Sequence, residues 1–211
     1  MQRTPYRLAD EAAARITSKI RKEFRHNRLA LFDEMNVVQV KKHVHKLYKD
    51  IFKIIKKEFL AVVDQICAEI YNETLSMGFE GEVREMGIDW IESFLEKYNP
   101  VTKYVFSNEI DRKESRLFES LVSAMEERYE SYATAENLIV RQVKQSCIDL
   151  EDEVEMDTYE DLGVEKVQWV TEDDGKTCGA CRALDGEIFE IDKAPHKLHQ
   201  NCRCYLIPVK E

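Results

Sequence analysis

From Tyr6 to Met77 the chain contains neither glycine nor proline, and a second such stretch runs from Val101 to Leu162. These two residues are the main local breakers of regular structure. Only seven glycines and four prolines occur in 211 residues, too few for the many turns of a sandwich or barrel. Long helices are therefore expected. Between Val40 and Ile70, apolar residues recur in steps of three and four (Val40, Val44, Leu47, Ile51, Ile54, Ile55, Phe59, Val62, Val63, Ile66 and Ile70). That spacing lines one face of a helix. A helix from about Val37 to Leu75 would be roughly 55–60 Å long at about 1.5 Å per residue. Such a length calls for another long helix, or a partner subunit, to cover its apolar stripe. Ala12, Ala13, Ala14, Ile16, Ile20 and Phe24 mark an earlier helix from about Leu8 to Phe32.

Gly78 and Gly81 are expected to end the long helix. A short amphipathic helix carrying Ile88, Trp90, Ile91, Phe94 and Leu95 follows and stops before Asn99-Pro100. Ser107 or Asn108 is positioned to cap the next helix, whose buried stripe would be Ile110, Leu117, Phe118, Leu121 and Met125. A break is expected near Tyr132-Ala133-Thr134, with a second helix from Ala135 to Tyr159. After Gly163 the apolar period changes. Val167 and Trp169, residues 187–191 and residues 203–207 alternate as half-buried strands do, with turns at Asp173-Asp174-Gly175 and Asp185-Gly186. The expected fold is mainly α: long helices, then a short antiparallel sheet in a small α+β C-terminal lobe clamped by zinc. Three regions are expected: a long-helix region at 1–98, basic over 1–60; a helical region at 99–162; and a metal-clamped β lobe at 163–211.

The net charge of −10 is unevenly divided, +8 over residues 1–60 and −18 over the rest. On the long helix, the face opposite the apolar stripe carries Lys41, Lys42, Lys46, Lys49, Lys53, Lys56 and Lys57. These lysines are the candidate contacts to an acidic partner or to DNA, although a solvated face has the same composition. The acidic run from Asp149 to Asp161 lacks the glycine-centred loop of a calcium site and reads as a solvated face. No apolar run is long enough to span a bilayer, and the first residues lack a signal core. A soluble protein made in the cytoplasm is expected, with no membrane partner.

Four of the six cysteines lie within 27 residues, as Cys178-x2-Cys181 and, after seventeen residues, His199-x2-Cys202-x-Cys204. Zinc takes four thiolate or imidazole ligands at tetrahedral corners. A tight knuckle, eased by Gly179, would turn two sulfurs inward, and the second group would close the site. Cys178, Cys181, His199 and Cys202 are the expected ligands, with Cys204 in reserve. Two disulfides are the competing reading. A filled tetrahedral site is structural, because no position is left for water or substrate. Cys67 and Cys147 read as small buried residues, His26 as a surface residue, and His43 and His45 fall on different helix faces.

Catalytic signatures are missing from the sequence: there is no GxxxxGK, GxSxG, HExxH or GxGxxG. Pro195-His196 and His199-Gln200-Asn201 faintly resemble a histidine–asparagine metal nuclease. A metal-dependent nuclease, or a toxin fragment, is therefore the alternative to a non-enzymatic reading.

Two segments carry a stronger resemblance. One runs from Asn99-Pro100-Val101 through Ser107-Asn108-Glu109 to Lys113. The other runs from Gly163-Val164-Glu165 and Trp169 through Gly175-Lys176-Thr177-Cys178, Cys181, Leu184-Asp185-Gly186 and Pro195 to His199-Gln200-Asn201-Cys202-Arg203-Cys204. Both resemble the phage head morphogenesis (minor head, Mu F-like) proteins. The chain departs from that family's pattern at Gly179 and Gln200, where proline is frequent, and at Arg141-Gln142-Val143, where Arg-Thr-Glu is frequent. The resemblance implies a virion component in few copies, bound to the portal protein and placed with scaffolding and major capsid proteins. In some relatives it also implies contact with double-stranded DNA.

Overall fold

A computed structural model describes residues 4–33, 36–123, 125–172, 177–195 and 197–210, with only the backbone described for 29–33 and 125. The expected turn at 173–175, the side chain of Met125 and His196 lie outside that description. Helix α1 spans Arg7–Asp33 and α2 spans Val37–Ser76, both within a residue or two of the ranges expected from periodicity. Asn36 starts α2 as an N-cap, its side chain accepting from the backbone N–H groups of Val38 (2.9 Å) and Gln39 (3.3 Å). Gly78, at φ +90°, ends it in the left-handed region that suits glycine. Helix α3 (Ile88–Glu96) leads into a two-residue antiparallel pairing of β1 (Tyr98–Asn99) with β2 (Tyr104–Val105).

Helix α4 (Phe106–Ser123) begins before the two proposed caps, so Ser107 and Asn108 lie inside its first turn. Asn99 instead orders the preceding turn, its side chain accepting from the N–H groups of Val101 and Thr102 at 2.9 Å. Helix α5 is continuous over Arg128–Asp161. The expected break at Tyr132-Ala133-Thr134 is therefore corrected: the interruption lies earlier, with a 3-10 turn at Met125–Glu127. Tyr132 is buried and donates its hydroxyl to the Phe24 carbonyl at 2.7 Å, a tertiary tie that holds the helix through this point.

Helices α1, α2, α4 and α5 form the bundle. Helix α1 runs antiparallel to α2, as the contacts Phe24–Tyr48 and Lys19–Glu58 (2.5 Å) require. It is also antiparallel to α5, with Tyr6 beside Glu151 and Phe24 beside Tyr132. The stripe of α2 from Val40 to Ile70 is buried within the chain except at Ile54, which is half-buried against the core, so no partner subunit is needed to cover it. Behind α5 lies a three-stranded antiparallel sheet of β3 (Lys166–Val170), β4 (Ile188–Glu190) and β5 (Tyr205–Val209), in the order β4-β3-β5. Val167 and Trp169 alternate inward from the central strand. Pro208 is accommodated because β5 is an edge strand. The buried apolar residues form one cluster from Tyr6 to Leu206.

The acidic face of α5 corrects the sequence reading most clearly. Glu151 and Glu155 are each 3 % exposed. The Glu151 carboxylate accepts from the backbone N–H of Tyr6 (2.8 Å) and of Ala9 (3.3 Å), so it caps α1 from across the bundle. Asp157 accepts from the Trp90 indole at 2.6 Å, and Asp161 takes a forked Arg84 guanidinium. These carboxylates therefore join α5 to its neighbours, where the sequence reading had a solvated face. Glu151→Ala would orphan two helix-terminal donors, for an expected loss of about 2–3 kcal/mol in urea unfolding. A variant as stable as the parent would contradict this role.

Candidate metal centre

Cys178 is the N-cap of a single helical turn, α6 (Gly179–Arg182). That turn swings Cys181 back toward Cys178, and the Cys181 backbone N–H donates to the Cys178 sulfur at 3.4 Å. Gly179 has an ordinary helical φ, and an added Cβ would meet nothing within 4 Å. The knuckle therefore does not need glycine. Position 179 is the first residue of the turn, a place that also favours proline.

The second group arrives on the irregular segment before β5. Asn201, at φ +59°, turns the chain, and the Cys202 N–H donates to the His199 carbonyl at 3.3 Å. Cys181, Cys202 and Cys204 are buried, Cys178 is half-buried and His199 is exposed. Two ligand triads result, Cys178–Cys181–His199 and Cys181–Cys202–Cys204, each with its ligand atoms within 4.8 Å of one another. Cys181 belongs to both. Cys204, the reserve of the sequence reading, is thus brought in beside Cys202, because residues two apart on an extended segment share a face. All six cysteines are free thiols, and the Cys181 and Cys202 sulfurs are 3.6 Å apart, well beyond a disulfide bond of about 2.0 Å.

These separations suit a tetrahedral ion. Zinc bonds of about 2.3 Å to sulfur and about 2.0–2.1 Å to nitrogen place two sulfurs roughly 3.8 Å apart, and sulfur and nitrogen roughly 3.5 Å apart. The structure has 3.6 Å from Cys181 to Cys202 and 3.5 Å from the Cys181 sulfur to His199 Nε2. The His199 Nδ1 lies 3.0 Å from the Gln200 carbonyl, which orients Nε2 toward the sulfurs.

The thiols differ electrostatically. The backbone N–H of Cys181 holds Cys178 down, to about 7, by stabilising its thiolate. Burial pushes Cys181 well above the usual thiol range and Cys204 up to about 11.

The support around this site was not legible in the sequence. Lys197, whose side chain is 8 % exposed, donates to the Cys204 carbonyl and the Tyr6 hydroxyl and pairs with Asp152 at 3.2 Å. The Tyr6 hydroxyl has one proton to donate, with Asp152 at 2.7 Å and the Cys204 carbonyl at 2.9 Å as its acceptors. Gln145 accepts from the Asn201 N–H at 2.6 Å. None of these residues carries a metal-ligand spacing that would have marked it.

The lysines of α2 are separate from this centre. Lys42, Lys46, Lys49, Lys53 and Lys57 are exposed in a row, with Lys46 and Lys53 sharing Asp50. Lys41 instead leans over Phe118 of α4, and Lys56 pairs with Glu92 of α3 at 2.5 Å. His45 lies 3.0 Å from Glu114 and His43 is half-buried, so they form no metal pair. Cys147 is buried, whereas Cys67 is half-buried, with its sulfur 3.8 Å from the Thr158 hydroxyl.

Residues 117–207 match the family described as Phage Mu protein F like protein. Over those residues the chain is similar to Mu F-like proteins. That segment takes in the end of α4, all of α5, strands β3 and β4, the start of β5 and the five candidate ligands. Comparison with the curated proteins and with the solved structures returned no match. No helix among the described residues is long and apolar enough to cross a membrane.

In the metal-free protein, iodoacetamide is expected to modify Cys178 first. Its rate should rise through a midpoint near pH 7, because the depressed pKa makes the reactive thiolate available above that pH. Cys181 and Cys147, buried with raised pKa values, should react slowly until the chain unfolds. Peptide mapping by mass spectrometry that found Cys147 or Cys181 labelled first would contradict this placement.

Proposed function

We propose that this chain is a structural minor head protein of a tailed bacteriophage, one that binds the portal protein and acts in head assembly and in DNA packaging or exit. The observation that carries this reading is the Mu F-like match. It coincides with the segment in which α5, the sheet and the cysteine cluster are built as one unit. Major capsid and scaffolding proteins are the further partners, and the virion is the site of action.

Zinc is the proposed ion, held by four of the five donors Cys178, Cys181, His199, Cys202 and Cys204. The chemistry it would supply is structural cross-linking. The lobe pairs three short strands and buries few large side chains, so a metal clip would contribute much of its stability. Four thiolate or imidazole ligands fill a tetrahedral ion, and this saturation supports a role without catalysis. A chelator is expected to lower the melting temperature of this lobe, and elemental analysis to find about one zinc per chain. Metal-free protein with unchanged melting would remove zinc from the proposal.

The partner surface is the lysine row of α2. Five ammonium groups on one exposed face suit either an acidic portal surface or DNA phosphates. Phosphate contacts would give retention on DNA that falls steeply with salt. Co-purification with the portal protein is expected, and Lys42→Glu combined with Lys49→Glu should weaken it at least tenfold. Retention on DNA at low salt, lost in the same double variant, would make DNA a direct partner of this face. Divalent-metal-dependent nuclease activity from the purified chain would overturn the non-enzymatic reading.

A further inference from the structure

Cys181 is the donor shared by the two triads, so its sulfur has thiol neighbours on two sides. On one side stand Cys178 and His199, on the other Cys202 and Cys204. The two sides differ in access. Cys178 is half-buried and His199 is exposed, whereas Cys181 and Cys202 are 1 % and 2 % exposed. A cleft of about 690 Å³ leads to the five donors past Arg7 and Glu11, both exposed, at the start of α1. A small polar solute entering there meets Cys178 before the buried thiols.

The buried side holds sulfurs in contact. Those of Cys181 and Cys202 are 3.6 Å apart, so a disulfide of about 2.0 Å is within reach of a side-chain adjustment. The two possible bonds of Cys181 do different things to the fold. Cys178 and Cys181 belong to one helical turn, and a bond between them closes only that knuckle. Cys181 and Cys202 are 21 residues apart, with β4 between them. A bond between these two joins the knuckle to the segment before β5, the same two segments that an ion would join.

We propose that Cys181 and Cys202 are a disulfide-forming pair, oxidised by hydrogen peroxide that enters at Cys178, and that this bond takes over the clamping of the lobe when the ion leaves. The bond follows from the sulfur positions, while its exchange for an ion rests on the zinc reading. First, the Cys178 sulfur attacks one peroxide oxygen; the O–O bond breaks, leaving a sulfenic acid and water. The Cys181 sulfur then attacks the sulfenic sulfur, expels a second water and forms the Cys178–Cys181 disulfide. Last, the Cys202 sulfur attacks that of Cys181, and Cys178 leaves as a thiol carrying the proton from Cys202. Two thiols are oxidised in all, and one peroxide is reduced to two waters.

The test treats the full, metal-free chain with one equivalent of hydrogen peroxide, blocks the remaining thiols and maps the unreduced peptides by mass spectrometry. Trypsin cuts after Arg182 and Arg203, so Cys202 and Cys204 fall in different peptides. The peptide bearing Cys178 and Cys181 should be joined to the one ending in Cys202-Arg203, with fragmentation placing the bond on Cys181. Cys178→Ser should reach the same bond at least about tenfold more slowly, and Cys202→Ser should stop at Cys178–Cys181. The oxidised chain should melt higher than the reduced one by roughly 5 °C or more, and dithiothreitol should reverse the gain. In zinc-loaded chain, release of zinc to a colorimetric chelator should keep pace with the bond. Formation of the bond by a chain that holds no zinc overturns the exchange alone. A final product confined to Cys178–Cys181, a bond to Cys204, cross-linked dimers or unchanged melting overturns the proposal.

Discussion

One carboxylate holds the start of the first helix to the middle of the chain. Glu151 projects from α5 into a buried position and accepts from the first N–H groups of α1, at Tyr6 and Ala9. A helix begins with orphan donors, and a charged acceptor at that end satisfies them while meeting the positive end of the helix dipole. The capped residue is itself a joint. The ring of Tyr6 is buried, and its hydroxyl reaches Asp152 and the Cys204 carbonyl. Lys197 adds its ammonium to the same carbonyl and hydroxyl. The start of α1, the centre of α5 and the segment bearing Cys202 and Cys204 thus meet in one hydrogen-bonded knot.

That knot explains why the cysteine lobe is not an appendage. Val167, Trp169 and Leu206 are buried in the cluster that continues into the helical bundle. Tyr159 of α5 reaches the Leu206 carbonyl at 3.2 Å, and Gln145 holds Asn201 at the turn before Cys202. The buried candidate ligands Cys181, Cys202 and Cys204 are therefore positioned by the bundle as well as by their own loop. Cys178 and His199 stand on the more exposed side. A metal bound there would lock an arrangement that the helices already favour.

The acidic run of α5 has two physical roles. Glu151, Asp157 and Asp161 act as acceptors for neighbouring elements: the α1 terminus, Trp90 and Arg84. Asp149 and its neighbours instead surround a cavity beneath the β1–β2 turn. The difference lies in which neighbour faces each carboxylate, and that neighbour comes from another part of the chain.

The boundaries of α1, α2 and α3, the alternation of the strands and the candidate ligand cysteines were legible in the sequence. Glycine and proline placement and apolar period are local signals, and local backbone preference acts on them directly. The continuity of α5 was not legible, because Tyr132 is held by the carbonyl of Phe24, more than a hundred residues away. The start of α4 and the dispensability of Gly179 were misread for a related reason. Helix α4 starts at Phe106, ahead of both proposed caps, and the knuckle is a plain helical turn. The placement of Cys204 beside Cys181, and the conversion of an acidic stripe into joints, depended wholly on tertiary structure. Charge and spacing state what a residue can bond. Only packing decides which distant group arrives to be bonded.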